Sequence, residues 1–414
     1  MHARAPIPPA SDLSPDTPTP QPTPEPAGRG LALVMTGGGA RAAYQVGVLR
    51  GIARCCPAFA PSILTGVSAG GINAAYLAGH AEPFPAALDG LSALWSGLRT
   101  EHVFDTSGPG AVRTVFRWGR RLLSGGARGS RRERGLLDPE PLRQLLRREL
   151  GVGPLGGVAE NLRNGRLDAF AITTTSYTTG QSITWVQGRD VEAWDRPYRR
   201  AVRAEITADH VLASSALPFF FPAVYLTHPV VGDGWYGDGG IRLTAPLSPA
   251  LHLGARKIIA INTRYGQTAA EAAERVVDAY PPPAQVLGVL MNAIFLDLLD
   301  RDAQVLRRIN ALLASWPDGQ PGPAPHAGFR PVGLLVLRPS RDLAKLAGGY
   351  EPTLPPAFRF LMRGLGVGET RSPDWLSMLL FEPDYLRLLV EIGEADAEAQ
   401  ADEIAAFLDA EVPA

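Results

Sequence analysis

The sequence predicts an α/β fold, a three-layer α/β/α domain around a mainly parallel central sheet, with a disordered N-terminal tail and C-terminal helices. Three observations predict it. Apolar runs of strand length, Leu31-Ala32-Leu33-Val34-Met35, Lys257-Ile258-Ile259-Ala260-Ile261-Asn262 and Val332-Gly333-Leu334-Leu335-Val336-Leu337, lack the alternation of a half-exposed strand and read as buried on both faces. The first of these and a second short run, Ser62-Ile63-Leu64, each pass through a glycine-rich turn straight into a helical pattern, the strand-helix rhythm of a parallel sheet. At 414 residues the chain can cover both faces of such a sheet.

Taken in order, residues 1–28 are dense in proline and small polar residues and read as a disordered tail, because they hold too little apolar surface to offset their ordering entropy. The tail lacks the basic start and continuous apolar region of a secretory signal. After the first strand comes Thr36-Gly37-Gly38-Gly39-Ala40-Arg41, then a helical pattern from Ala42 to Ile52. The second strand leads into Thr65-Gly66-Val67-Ser68-Ala69-Gly70-Gly71 and a helix over Ile72–Ala78. Residues Phe84–Phe104 read as one helix, and Asp138-Pro139-Glu140 opens another with Asp138 as its cap. Strands follow at Ala169–Thr175 and Ser182–Val186 around a Gly180 turn, and Asp209–Pro218 reads as a helix closed by its proline. A break at Tyr280-Pro281-Pro282-Pro283 precedes a helix carrying Asp297, Asp300, Arg301 and Asp302, and amphipathic helices are expected at Trp375–Ile392 and Ala397–Ala410. The chain thus divides into a 1–28 tail, a 29–345 catalytic domain and a 346–414 helical extension packed on it.

Composition excludes several classes. A net charge of −1 gives no global attraction to nucleic acid. The two cysteines, Cys55 and Cys56, are neighbours, so no disulfide framework is visible; they read as small buried hydrophobes in a reducing, cytoplasmic setting. The uncharged stretch from Cys55 to Ala81 is interrupted by prolines and glycines and reads as a buried strand-turn-helix, and no other apolar run reaches membrane-spanning length. Eight arginines between Arg113 and Arg134 face a single acid, Glu133; they read as a solvated face, with docking to anionic lipid head groups as the functional alternative.

Two motifs carry chemistry. Gly66-Val67-Ser68-Ala69-Gly70 at a strand-to-helix turn reads as a nucleophile elbow: glycines Gly66 and Gly70 permit the close approach, and the helix N-terminus favours an oxyanion beside the Ser68 hydroxyl. The loop Gly37-Gly38-Gly39 reads either as a phosphate cradle or as an oxyanion hole. A dinucleotide cradle wants an acidic residue about twenty positions on, and residues 57–63 supply none, which favours the hole.

Strand, Gly-Gly-Gly-x-Arg, helix, strand and Gly-x-Ser-x-Gly resemble the opening of the patatin-like phospholipase family, except that Ala42 stands where the family pattern continues with glycine. The stretch Ala213-Ser214-Ser215-Ala216-Leu217-Pro218 and the phenylalanines Phe219, Phe220 and Phe221 after it are similar to that family as well. The resemblance implies that Asp238-Gly239-Gly240 is the catalytic aspartate motif, with Asp238 as base to the Ser68 nucleophile. It further implies acyl hydrolysis of a lipid ester through an acyl-enzyme, without cofactor or metal. The backbone of Gly37, Gly38 and Gly39, with Ala69, would hold the oxyanion, while Arg41 steadies that loop or attracts an anionic head group. A Ser-His-Asp triad using His252 or His326 is the alternative within hydrolases. Outside them stand a lipid- or partner-binding protein without turnover, and a nucleotide-binding module.

Overall fold

The computed structural model describes residues 30–411, apart from 106–134, 136, 190, 192, 278–279, 316–329, 365 and 368–372. The expected 1–28 tail, the 113–134 arginine cluster and His326 lie outside the described residues. The sheet has ten strands: β1 (Leu31–Met35), β2 (Ile63–Val67), β3 (Ala169–Ser176), β4 (Ser182–Gly188), β5 (Asp195–Arg196), β6 (Arg199–Arg203), β7 (Val224–Leu226), β8 (Gly234–Asp238), β9 (Lys257–Ile261) and β10 (Gly333–Leu337). The path β10-β9-β1-β2-β3 is parallel throughout, and antiparallel pairs enter beyond it, where β4 and β8 both pair with β3.

Why β1 and β9 lack polar alternation is now plain. Leu33, Met35, Ile259 and Ile261 join the main core with helix α1 (Ala42–Cys55), while Ala32, Val34, Ile258 and Ala260 join a second core with Leu299, Ala303 and Leu306 on the other face. Both faces are therefore covered by helices, as three layers require. On the first face α1 lies against helix Pro383–Ala399. A side chain on Gly51 would strike Ala397 Cβ and Glu394 O, at 2.6 and 2.9 Å.

Several elements differ from their sequence readings. Strand β2 runs on to Val67, because Thr65 and Val67 are good strand formers that pair with Val34 on one side and Ala171 and Thr173 on the other. Helix α2 (Ala69–Gly79) accordingly starts immediately after Ser68. The single helix expected over residues 84–104 is two, α3 (Phe84–Ser96) and a turn at Thr100–Val103, parted at Gly97. Residues 375–392 likewise split into Asp374–Leu379 and Pro383–Ala399, because the residue before a proline avoids helical backbone and Glu382 is extended. The helix of residues 209–218 is Ala208–Ser214, and that of 140–150 begins one residue later than expected, with Asp138 still accepting from the Glu140 N–H at 3.0 Å.

Two expectations about apolar residues are corrected. Cys55 is exposed and Cys56 only half-buried, since α1 ends there at the rim of the core; the thiols are free, 3.6 Å apart. A stretch long and apolar enough to cross a membrane does exist, Pro283–Ala314, by length and composition alone. Asp297 and Asp300 punctuate that run in the sequence, where it breaks into helices Pro283–Phe295 and Leu298–Ala314, and each acid pairs with an arginine, Arg264 and Arg338.

Candidate active site

Register brings the two sequence motifs together. Val67 at the end of β2 pairs with Thr173 of β3, and the next β3 residue, Thr174, pairs with Asp238 at the end of β8. Ser68, one step past Val67, therefore meets Asp238 across the sheet end. The Asp238 main chain is fixed by its own N–H to Ala216 O at 3.0 Å and by the Thr175 hydroxyl, which donates to Asp238 O at 2.8 Å.

Ser68 has φ 56°, and it is one of only two non-glycine residues in that region among the described residues. Such a conformation costs about 1–3 kcal/mol and persists because the surroundings over-determine it. A Cβ on Gly66 would lie 2.6 Å from Gly70 O, and one on Gly70 would strike the carbonyls of Met35 and Thr36. The glycines thus let strand, turn and helix close on each other. The Ser68 N–H donates to Ser214 Oγ at 3.0 Å, and that hydroxyl donates to Thr173 O at 2.7 Å. Ser214 is a site residue that sequence reasoning missed; its only signal was its place in the Ala-Ser-Ser-Ala stretch.

Asp238 is fully buried. Oδ1 accepts from the Gly240 N–H at 2.8 Å, whereas Oδ2 has no fully formed hydrogen bond. The Ser68 hydroxyl is near enough to favour the charged carboxylate. Together these facts describe a serine set beside the acid without a closed bond. Burial is the main influence and pushes the carboxyl up to about 7, against the lowering pull of Ser68 and the Gly240 N–H. Gly239 must be glycine because any side chain would collide with Thr173 O, and at Gly240 the Phe295 ring takes the space.

The glycine loop lies beside the elbow. A Cβ on Gly37 would sit 2.9 Å from Ser68 Cβ, and Gly38 and Gly39 share with Ser68 and Ala69 the wall of one cavity, about 810 Å³ with the open solvent at its mouth included. The rest of the lining is almost wholly apolar, including Ile72, Trp95, Leu98, Leu145, Phe221 and Met378. A buried polar chain holds loop to elbow: Trp95 Nε1 donates to Asn73 Oδ1, Asn73 Nδ2 to Gln45 Oε1, and Gln45 Nε2 to Thr36 O, at 2.7, 3.0 and 2.7 Å.

Arg41 is expected in the oxyanion-hole loop, either steadying it or attracting an anionic head group, and the geometry fits the first of these roles. The side chain is buried, its guanidinium committed to Asp374 Oδ1 at 2.6 Å and Ser377 Oγ at 2.7 Å. Its work is to clamp the glycine loop to helix Asp374–Leu379, which carries Met378 and Leu379 into the cavity wall. Of the phenylalanines, Phe220 packs on Trp375, Phe221 lines the cavity and Phe219 is exposed. His252 is exposed and stacked on Trp194 at 4.5 Å, with Nδ1 on Ser248 O, and it does not line the cavity that Ser68 faces.

A family model described as patatin-like phospholipase matches residues 33–251, just over half of the chain. The chain belongs to the patatin-like phospholipase family. Membership supports a lipid hydrolase in general terms. Among solved structures, VipD from Legionella pneumophila is similar over 90% of this chain and 67% of its own, at 12% identity and a TM-score of 0.36. Human GIVD cytosolic phospholipase A2 is similar over 91% of this chain, at 12% identity and a TM-score of 0.43. This chain covers 59% of the human enzyme. No curated protein matches the sequence significantly.

Proposed function

We propose that this patatin-like protein hydrolyses carboxylic esters of phospholipids, lysophospholipids or neutral lipids through a Ser68–Asp238 dyad. The observation that carries the reading is a strained, cavity-facing serine beside a fully buried aspartate whose pKa stands at about 7. A carboxylate is ordinarily too weak a base to help a serine near neutral pH; burial brings its strength close to what proton transfer needs.

In the forward step Ser68 Oγ attacks the ester carbonyl as its proton passes to Asp238. The N–H groups of Gly37, Gly38, Gly39 and Ala69 are offered to the oxyanion, each such donor being worth about 3 kcal/mol in the transition state. Asp238 then returns the proton to the leaving alcohol. Water repeats the sequence against the acyl-enzyme and frees the acid. The apolar lining suits an acyl chain inside the cavity, with the head group toward its mouth.

The test compares fatty-acid release from mixed-lipid vesicles by wild type, Ser68→Ala and Asp238→Asn, each checked for folding. Loss in both variants is expected, with phosphonate labelling of Ser68 in the wild type. Release that survives Ser68→Ala would overturn the assignment, and labelling without release would favour lipid binding without turnover.

A further inference from the structure

Helix Pro283–Phe295 is apolar over most of its surface, with Gln285 and Asn292 as its only polar side chains, an unusual property for a helix at a protein surface. None of its thirteen residues is charged. Ala284, Gly288 and Met291 form the inner face, with Gly288 against Asp374. At its C-terminal end Phe295 reaches the active-site cavity and lies on Gly240. The opposite face carries Val286, Val289 and Leu290, which are 56, 59 and 49% exposed.

We propose that this outer face is where the protein docks on a lipid surface, lying in the interfacial layer. The occupant follows from continuity and chemistry. The same helix that shows Val286, Val289 and Leu290 to the outside ends with Phe295 in the wall of the cavity proposed to take the acyl chain, so the apolar face and the cavity share one element. An apolar surface asks for an apolar partner, and the acids beside the helix, Asp374, Asp297 and Asp300, are already paired with Arg41, Arg264 and Arg338. The helix lies on the membrane and does not cross it. Thirteen residues span roughly 20 Å against a hydrocarbon core of about 30 Å, and the inner face is occupied by helix Asp374–Leu379. The choice of a lipid occupant rests on the lipid-hydrolase reading.

The experiment uses the full chain carrying Ser68→Ala, so that no turnover is needed, and measures its sedimentation with sucrose-loaded phosphatidylcholine vesicles. Binding is expected, and it should persist at about 1 M salt, where charge contacts are screened within about 3 Å. Adding Val286→Glu and Val289→Glu should weaken it at least about tenfold, by loss of apolar contact. Val152→Glu, at a residue 84% exposed elsewhere, should leave it unchanged. Should the glutamates unfold the chain, serines at the same two positions repeat the test. Equal sedimentation with and without the substitutions overturns the proposal, as does absence of vesicle binding or its release by salt. A shift from dimer to monomer in light scattering on substitution also overturns it, by making the face a contact between copies of this chain. Hydrolysis of a soluble short-chain ester with Ser68 intact is read separately: its absence beside intact vesicle binding would remove the hydrolase and leave the docking face standing.

Discussion

Glycine does the same mechanical job in two regions, with opposite energetic results. Where α1 crosses helix Pro383–Ala399, a side chain on Gly47 would strike Val390 O and one on Gly393 would strike Tyr44 O, so the helices touch backbone to backbone. Nothing there is strained, and the close contact adds dispersion and buried area to the core. At the elbow Gly66, Gly70 and Gly239 allow an equally close approach, but what it holds is a serine at φ 56° and an aspartate with an unsatisfied buried oxygen. One region gains stability from its glycines; the other uses that stability to keep Ser68 and Asp238 in a state they would not choose alone.

The sharpest way to break this contrast is Asp238→Asn. Activity should fall on the order of 10⁴-fold, as when a member of a catalytic pair is removed. Stability should move the other way at alkaline pH. The folded acid keeps its proton up to about pH 7, whereas an unperturbed aspartate releases it at 3.8. Between those values the native state carries the extra proton, so wild-type stability falls as pH rises through the window. The asparagine should flatten that slope and be more stable than wild type at pH 8, by up to about 4 kcal/mol. Urea unfolding of both proteins at pH 5 and pH 8 checks the sign. In the wild type, activity should rise with pH through about 7 as Asp238 ionises.

The seam should respond in the complementary way. Gly47→Ala forces its new methyl into the Val390 carbonyl, and a loss of about 3 kcal/mol is expected as the helices part. Activity per folded molecule, measured after titrating active sites with a phosphonate, should stay close to wild type. Ser214→Ala tests the link between strain and scaffold: without the hydroxyl the Ser68 N–H loses its acceptor, at a cost of about 1–2 kcal/mol shared between stability and kcat. The smallest effect belongs to His252→Ala, an exposed site where changes stay within about 0.5 kcal/mol and activity should be kept. A collapse of activity there would revive the triad.

What the sequence by itself determined was local. Strands β1, β2, β9 and β10, the glycine loop and the elbow are written in residues a few positions apart, because apolar runs, missing side chains and helix starts act over one or two turns of chain. Asp238 was legible only by resemblance, since Asp-Gly-Gly in isolation is as good a turn as a motif. Tertiary structure decided everything that depends on register and on distant chain. It set Thr174 opposite Asp238, seated Ser214 under the elbow, and paired Arg41 with Asp374 across 333 positions, which chose the buried clamp over the anion contact of the two roles open to that arginine. The physical reason is burial. Whether an arginine meets solvent or a carboxylate, and whether an aspartate titrates near 4 or near 7, depends on which elements fold over it, and no short window of sequence contains them.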